Sequence, residues 1–163
     1  MWGKSVFSRI NICGIINLMH KDFYASGFLY HLPSKQILLQ QQSTLVKSSL
    51  WSLFGKKGLS KESPETTFQR VIYNLSHVKL PLATIYPVYT YFYKDINKNH
   101  AVVYAEVENM QQFSSLNKIK CAWFTMKQAL KLDLSEQTRQ DITVGQRVIN
   151  ARMRKSLGLQ TLE

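Results

Sequence analysis

Acidic residues are scarce in this sequence. Ten Asp and Glu stand against 21 Lys and Arg in 163 residues, a formal net charge of +11. Such an imbalance favours anionic partners (nucleotides, nucleic acid, acidic proteins or a lipid surface) without choosing among them. Cysteine is scarcer still. Cys13 and Cys121 form neither a CxxC pair nor a zinc spacing, which excludes a disulfide framework and a local thiolate metal site. Two scattered thiols fit a reducing compartment, and a cytoplasmic location is the expectation. Cys121 lies in the apolar run "IKCAWF" and reads as core, not as a nucleophile. His20, His31, His77 and His100 are far apart and make no HxH or HxxxH pattern. No apolar run approaches the roughly 20 residues that a membrane-spanning helix needs. The run Ile10–Met19 follows Lys4 and Arg9 in the manner of a targeting segment. Asn11 and Asn17 interrupt it, so residues 1–22 read as a short packed extension.

What remains is ordinary globular material. Apolar residues make up 45% and charged residues 19% of the chain, which fits one soluble domain with a core of its own. "DFYASGFLYHL" reads as a strand, Pro33-Ser34-Lys35 as a turn, and "QILLQQQ" as the hairpin partner. "SSLWSLF" reads as a third short strand closed by Gly55. Ser63 is a good N-cap and Pro64 suits the first helical position. Phe68, Val71, Ile72 and Leu75 then make one helical stripe, and the helix should fade by His77. "ATIYPVYTYFYK" alternates as a strand, with Tyr89, Tyr91 and Tyr93 on one face and Val88, Thr90 and Phe92 on the other. "AVVYAEVE" returns as its hairpin partner, "IKCAWF" adds a strand, Thr125 caps the short helix "MKQALKL", and a long helix runs from Ser135 to about Lys155. The layout is α+β, with helices packed on a mixed sheet.

This order, with "WSLFGKKGLSKESPETTFQR" at its centre, resembles the Nudix hydrolase superfamily. The family's box reads Gly-x5-Glu-x7-Arg-Glu-U-x-Glu-Glu-x-Gly-U, with U apolar. Glu62 and Arg70 stand at the box's first glutamate and its arginine, and Gly55 matches the first glycine of the preceding turn. Lys56 replaces the box's opening glycine and His77 its closing one. "FLYHLPSKQILLQQQ" and "IKCAWFTMKQALKL" resemble the family's first hairpin and the strand and helix that follow the box. The resemblance implies a Nudix-like α/β/α sandwich over residues 23–155, with 156–163 as a C-terminal tail.

The resemblance also implies magnesium or manganese chemistry, since hard divalent cations need several oxygen ligands to activate water. The metal-binding glutamates of the box fall at Val71, Asn74 and Leu75, so the acids are gone. Glu62 and Arg70 then read as scaffold that outlasted the catalytic set. The leading expectation is a catalytically inactive binding module for a nucleotide, RNA or an acidic protein partner, needing no cofactor. Lys56, Lys57, Lys118 and Lys120 would meet a ligand's phosphates around the old cleft. Tyr86, Tyr89, Tyr91 and Tyr93 suit either base stacking or packing. The alternatives are a divergent metal-dependent hydrolase of nucleoside diphosphate derivatives, holding its ion with Glu62, Glu106 and Glu108, and a structural subunit of a larger assembly.

Overall fold

The computed structural model describes residues 22–41, 49–113 and 119–158. Ten elements follow in order: β1 (Phe23–His31), β2 (Gln36–Gln41), β3 (Trp51–Ser52), β4 (Phe54–Lys57), α1 (Pro64–Ser76), β5 (Ile85–Tyr93), β6 (Lys98–Val107), β7 (Lys120–Thr125), α2 (Met126–Ala129) and α3 (Glu136–Ser156). The extension expected over residues 1–22 lies, except for Asp22, outside the described residues.

One seven-stranded sheet carries the fold. β1 pairs in parallel with β6 along its whole length, from Phe23 opposite Asn99 to His31 opposite Val107. The other pairings are antiparallel, so the sheet is mixed. The second edge of β1 is shared. Leu29–His31 pair with β2, whereas Tyr24–Gly27 pair with β4. β2 mirrors this: beyond its hairpin register it pairs Gln40 and Gln41 with β3. β1 and β2 therefore splay apart, and β3 and β4 fill the gap. This corrects the single strand expected over "SSLWSLF": the chain changes partner at Leu53, and Gly55 lies inside β4 instead of closing a strand.

Strand alternation gives the sheet two apolar faces, each covered by a helix. Leu29, Leu38, Phe54, Val103 and Ala105 meet Phe68, Val71 and Ile72 of α1. Phe28, Tyr30, Ile37, Leu39, Val102 and Tyr104 meet Ile142 and Ile149 of α3. Both helices need a close approach to β1, and glycine permits it on each side. A Cβ on Gly27 would stand 2.3 Å from the Val103 carbonyl and 3.0 Å from the Phe68 ring. A Cβ on Gly145 of α3 would stand 2.7 Å from the Phe28 ring. Gly145, which weakens the helix by propensity, is thus set by packing.

β5 lies at the sheet edge and does not keep strict alternation. Tyr86 pairs with Tyr104 but Tyr89 with Val102, so the strand bulges between Pro87 and Tyr89. The bulge turns Val88 onto the α3 core, not to the face of exposed Phe92 as alternation predicts.

Candidate functional site

The loop between β4 and α1 is drawn together by one carboxylate. Glu62 Oε1 accepts from Arg70 Nε at 2.8 Å, and Oε2 accepts from Arg70 Nη2 at 3.0 Å, a bidentate pair. Oε2 also accepts from the Leu59 amide and the Thr67 hydroxyl, each at 2.9 Å. Arg70 Nη2 reaches the Lys57 carbonyl at 3.1 Å, tying α1 to the end of β4. The guanidinium, helped by the amide and hydroxyl, lowers the Glu62 pKa to about 2. α1 starts as its sequence directs: Ser63 Oγ accepts from the Thr66 amide, Pro64 opens the helix and Glu65 sits in the first turn. It ends at His77, in left-handed conformation at φ 57°. His77 stands where the box has its closing glycine, and its backbone takes the conformation that favours glycine. Lys56 has no positive φ, so a side chain in place of the opening glycine is unstrained.

The helix face that would hold metal is apolar. Val71 is buried, Leu75 is half-buried against the same core, and Asn74 is exposed. Cys121 and Trp123 of β7 pack on this core as well. Burial pushes the Cys121 thiol up to about 11, so it stays protonated at neutral pH.

The three described lysines of the expected set do not gather at this cleft. Lys56 shares a strand face with Phe54, towards α1, and Lys57 takes the opposite face. Lys57 Nζ is held by Asp22 at 2.8 Å. Lys120 lies on the α3 face, 5.8 Å from the centroid of the Trp51 ring. Lys118 lies outside the described residues. Lys56 and Lys57 are exposed and lie in a paired strand.

Glu62, Glu106 and Glu108 do not form a metal site either. Glu106 sits opposite Tyr30 on the α3 face, near the end of β1, and Glu108 follows the end of β6. Glu62 is bound to groups near Lys57, which pairs with Tyr24 at the start of β1. The two ends are roughly 20 Å apart along the strand. Among the described residues no three His, Cys, Asp or Glu side chains cluster as metal ligands.

No family model matches the sequence, and no curated protein matches it. Solved structures do. A mutT/nudix family protein from Listeria innocua superimposes with TM-score 0.62 at 16% identity, covering 80% of this chain and 95% of that one. The NUDIX domain of Shewanella oneidensis NrtR, complexed with ADP ribose, gives 0.60 at 19% identity, covering 78% and 87%. The C-terminal domain of mouse MUTYH, in complex with human PCNA, gives 0.62 at 11% identity, covering 80% and 91%. The chain has the Nudix fold.

The residues at the Nudix metal positions do not fit a divalent cation. A valine, an exposed amide and a leucine offer at most one neutral oxygen, where magnesium or manganese wants several, mostly charged. The stretches outside the described residues add no carboxylate side chain except Glu163.

On the other face of the Nudix sheet the tyrosines of β5 are engaged in packing and hydrogen bonds. Tyr89 and Tyr91 stack with centroids 5.2 Å apart, and the Tyr89 hydroxyl donates to Asp141 Oδ1 at 2.5 Å. Asp141, on α3, is buried, and burial raises its carboxyl above the usual range. His100 Nδ1 lies 2.8 Å from the Tyr91 hydroxyl and Nε2 lies 2.7 Å from Ser26 Oγ. Burial lowers the His100 pKa to about 4, so the ring is neutral and links two hydroxyls. Tyr86 lies under Arg152, whose guanidinium carbon is 3.2 Å from the ring centroid. Local sequence pattern does not reveal the Tyr89–Asp141, Tyr86–Arg152 and Ser26–His100 partners, because each joins β5 or β6 to an element distant in sequence, whereas Tyr91 and His100 meet within the β5–β6 hairpin.

Proposed function

We propose that this chain is a binding module built on the Nudix fold, without the metal-dependent hydrolysis that the fold's box supports. The observation that carries this reading is the fate of positions 71, 74 and 75. Val71 and Leu75 belong to the core under α1, and Asn74 alone faces solvent. Glu62 and Arg70 act there as scaffold: their oxygens and nitrogens are spent on each other and on the loop. The partner is anionic, in keeping with a net charge of +11. The fold's occurrence in a complex with ADP ribose and in one with a protein, PCNA, supports a binding role without fixing the ligand.

The test pairs a phosphate-release assay on nucleoside diphosphate derivatives, with magnesium or manganese, with calorimetry of the same metals and ligands. No turnover above background is expected, and no metal requirement for binding. Phosphate release that disappears in Glu106→Gln or Glu108→Gln would replace this reading with a divergent hydrolase. If no nucleotide or nucleic acid binds even at low salt, a subunit role in a larger protein assembly becomes the better account.

A further inference from the structure

The most basic part of the chain lies far from the box. Between Lys120 and Gly158 there are eight Lys and Arg against three Asp and Glu, and one of those acids, Asp141, is buried. After Asp141 the helix α3 carries Arg147, Arg152, Arg154 and Lys155 with no acid among them. Arg152 is committed to the Tyr86 ring. Arg147 and Arg154 are exposed and flank Asn150, three residues before it and four after, so the three form one stripe.

A cavity of about 410 Å³ opens beside this stripe, between α3, the start of α2 and the β1–β2 turn. Its floor is apolar: Tyr30, Ile149 and Met126 are at least nine-tenths buried, and Met153 packs with them. Its rim carries two exposed lysines from separate elements. Lys127 comes from α2, and Lys35 from a turn position with φ 54°. Two amides, Gln146 and Asn150, also line it, and no described group hydrogen-bonds to either. Among the described residues no carboxylate lines the cavity, and on this face Glu106 stands opposite Tyr30 in the strand register.

This combination suits one ligand chemistry. A flat ring settles on thioether, aromatic and aliphatic surface, side-chain amides offer paired donor and acceptor to a base edge, and cations sit where phosphates would flank it. The basic stripe runs past the cavity in both directions along the helix, which is more positive charge than one nucleotide needs. We propose that this cavity and the Arg147–Arg154 stripe form a binding site for single-stranded nucleic acid, with one base in the cavity and the neighbouring phosphates on Lys35, Lys127, Arg147 and Arg154. The site is on the opposite face of the sheet from the box helix. Residual hydrolytic activity at the box would leave it untouched.

Fluorescence anisotropy with labelled ten-nucleotide oligouridylate and oligothymidylate tests it. Wild type should bind both, and affinity should fall with salt at a log–log slope of about −0.7 per phosphate contacted. The triple change Lys127→Glu, Arg147→Glu, Arg154→Glu should weaken binding roughly tenfold or more. The control Lys61→Glu, Lys79→Glu, Lys94→Glu makes the same change in net charge away from the site and should have a much smaller effect. Asn150→Trp keeps the charge but fills the cavity, and should also weaken binding, by roughly fivefold or more if a stacked base is displaced. A duplex or a free mononucleotide should compete poorly. Absence of binding at low salt overturns the proposal, as does equal loss in the control. Full affinity in Asn150→Trp, or a duplex or mononucleotide that competes as well as the strand, overturns it too. Circular dichroism of each variant establishes that it is folded, and Asn150→Trp carries the test alone if the triple change is not.

Discussion

Glu62 accepts four hydrogen bonds, from the Leu59 amide, the Thr67 hydroxyl and two nitrogens of Arg70. Removing the guanidinium leaves a largely desolvated carboxylate with half its donors. Arg70→Ala should cost about 2 kcal/mol, between the value of a surface pair and that of a fully buried one. At this chain length that lowers the melting temperature by roughly 4–8 °C. Arg70→Lys should recover little, because a single ammonium cannot reproduce the fork. The Glu62 carboxyl is depressed from 4.5 to about 2 on folding, so its contribution is full above the unfolded value and drains away as pH falls towards 2. Asp141, raised by burial, works against this in acid, so the Glu62 contribution is read as the difference between wild type and Arg70→Ala. His100 acts at higher pH. Its pKa falls from 6.5 to about 4 on folding, so the unfolded chain takes up a proton that the native ring refuses. Stability should therefore be level above pH 6.5 and decline as pH drops to 4. Melting curves across that interval should show the decline in wild type and a flatter profile in His100→Gln. The Glu62–Arg70 pair was legible only through the resemblance to the family's box, whose spacing both residues keep. The His100 link to Ser26 was not, because it depends on β1 and β6 becoming neighbours, while the link to Tyr91 needed only the register of the expected β5–β6 hairpin.

At the scale of elements, α1 illustrates what local chemistry determines. Ser63, Pro64 and the apolar stripe from Phe68 to Leu75 mark its start and its buried side, and the structure agrees at each. Its end departs from the best local choice. His77 holds a left-handed conformation that costs an L-residue roughly 1–2 kcal/mol. His77→Gly would relieve this but give up the edge contact between the Tyr73 and His77 rings and add chain entropy. The expected net gain is about 0.5–1 kcal/mol, read as a higher urea midpoint with an unchanged slope. Alternation along "AVVYAEVE" correctly separated Glu106 from Val103, Ala105 and Val107. It did not say that α1 would cover the valine face, and this is what removes Glu106 from any shared site with Glu62. The same gap affected the lysines. Lys56 and Lys57 are adjacent in sequence, and pairing of β4 with β1 sends them to opposite faces. The partner switch at Leu53 left no local mark either, whereas the bulge had one in Pro87, which lacks the amide hydrogen of a strand ladder and is confined to edges and bulges.

For the whole molecule, the α+β class was legible because most long elements carry a clear period, and the α/β/α layering came with the family resemblance. Sheet order was not. The central pair, β1 with β6, joins residues such as Phe23 and Asn99 that lie roughly 75 residues apart, a separation that pattern alone does not connect. A chain ending at Asn97 has every element from β1 to β5 but lacks the strand that joins β1 to β5. It should show no cooperative urea transition by far-ultraviolet circular dichroism, whereas the full chain should show one; a sharp transition in the shortened chain would mean that its first half folds alone. The parallel pairing also sets a timetable during synthesis. At about 5–20 residues per second, some 4–15 s separate the appearance of Phe23 from that of Asn99. Through that interval Phe28, Leu29 and Tyr30 are out of the ribosome's shelter, or nearly so, with one edge of their strand unclaimed. A nascent chain in this state is a natural client for a holding chaperone, and slowing translation between β1 and β6 would lengthen its exposure to aggregation.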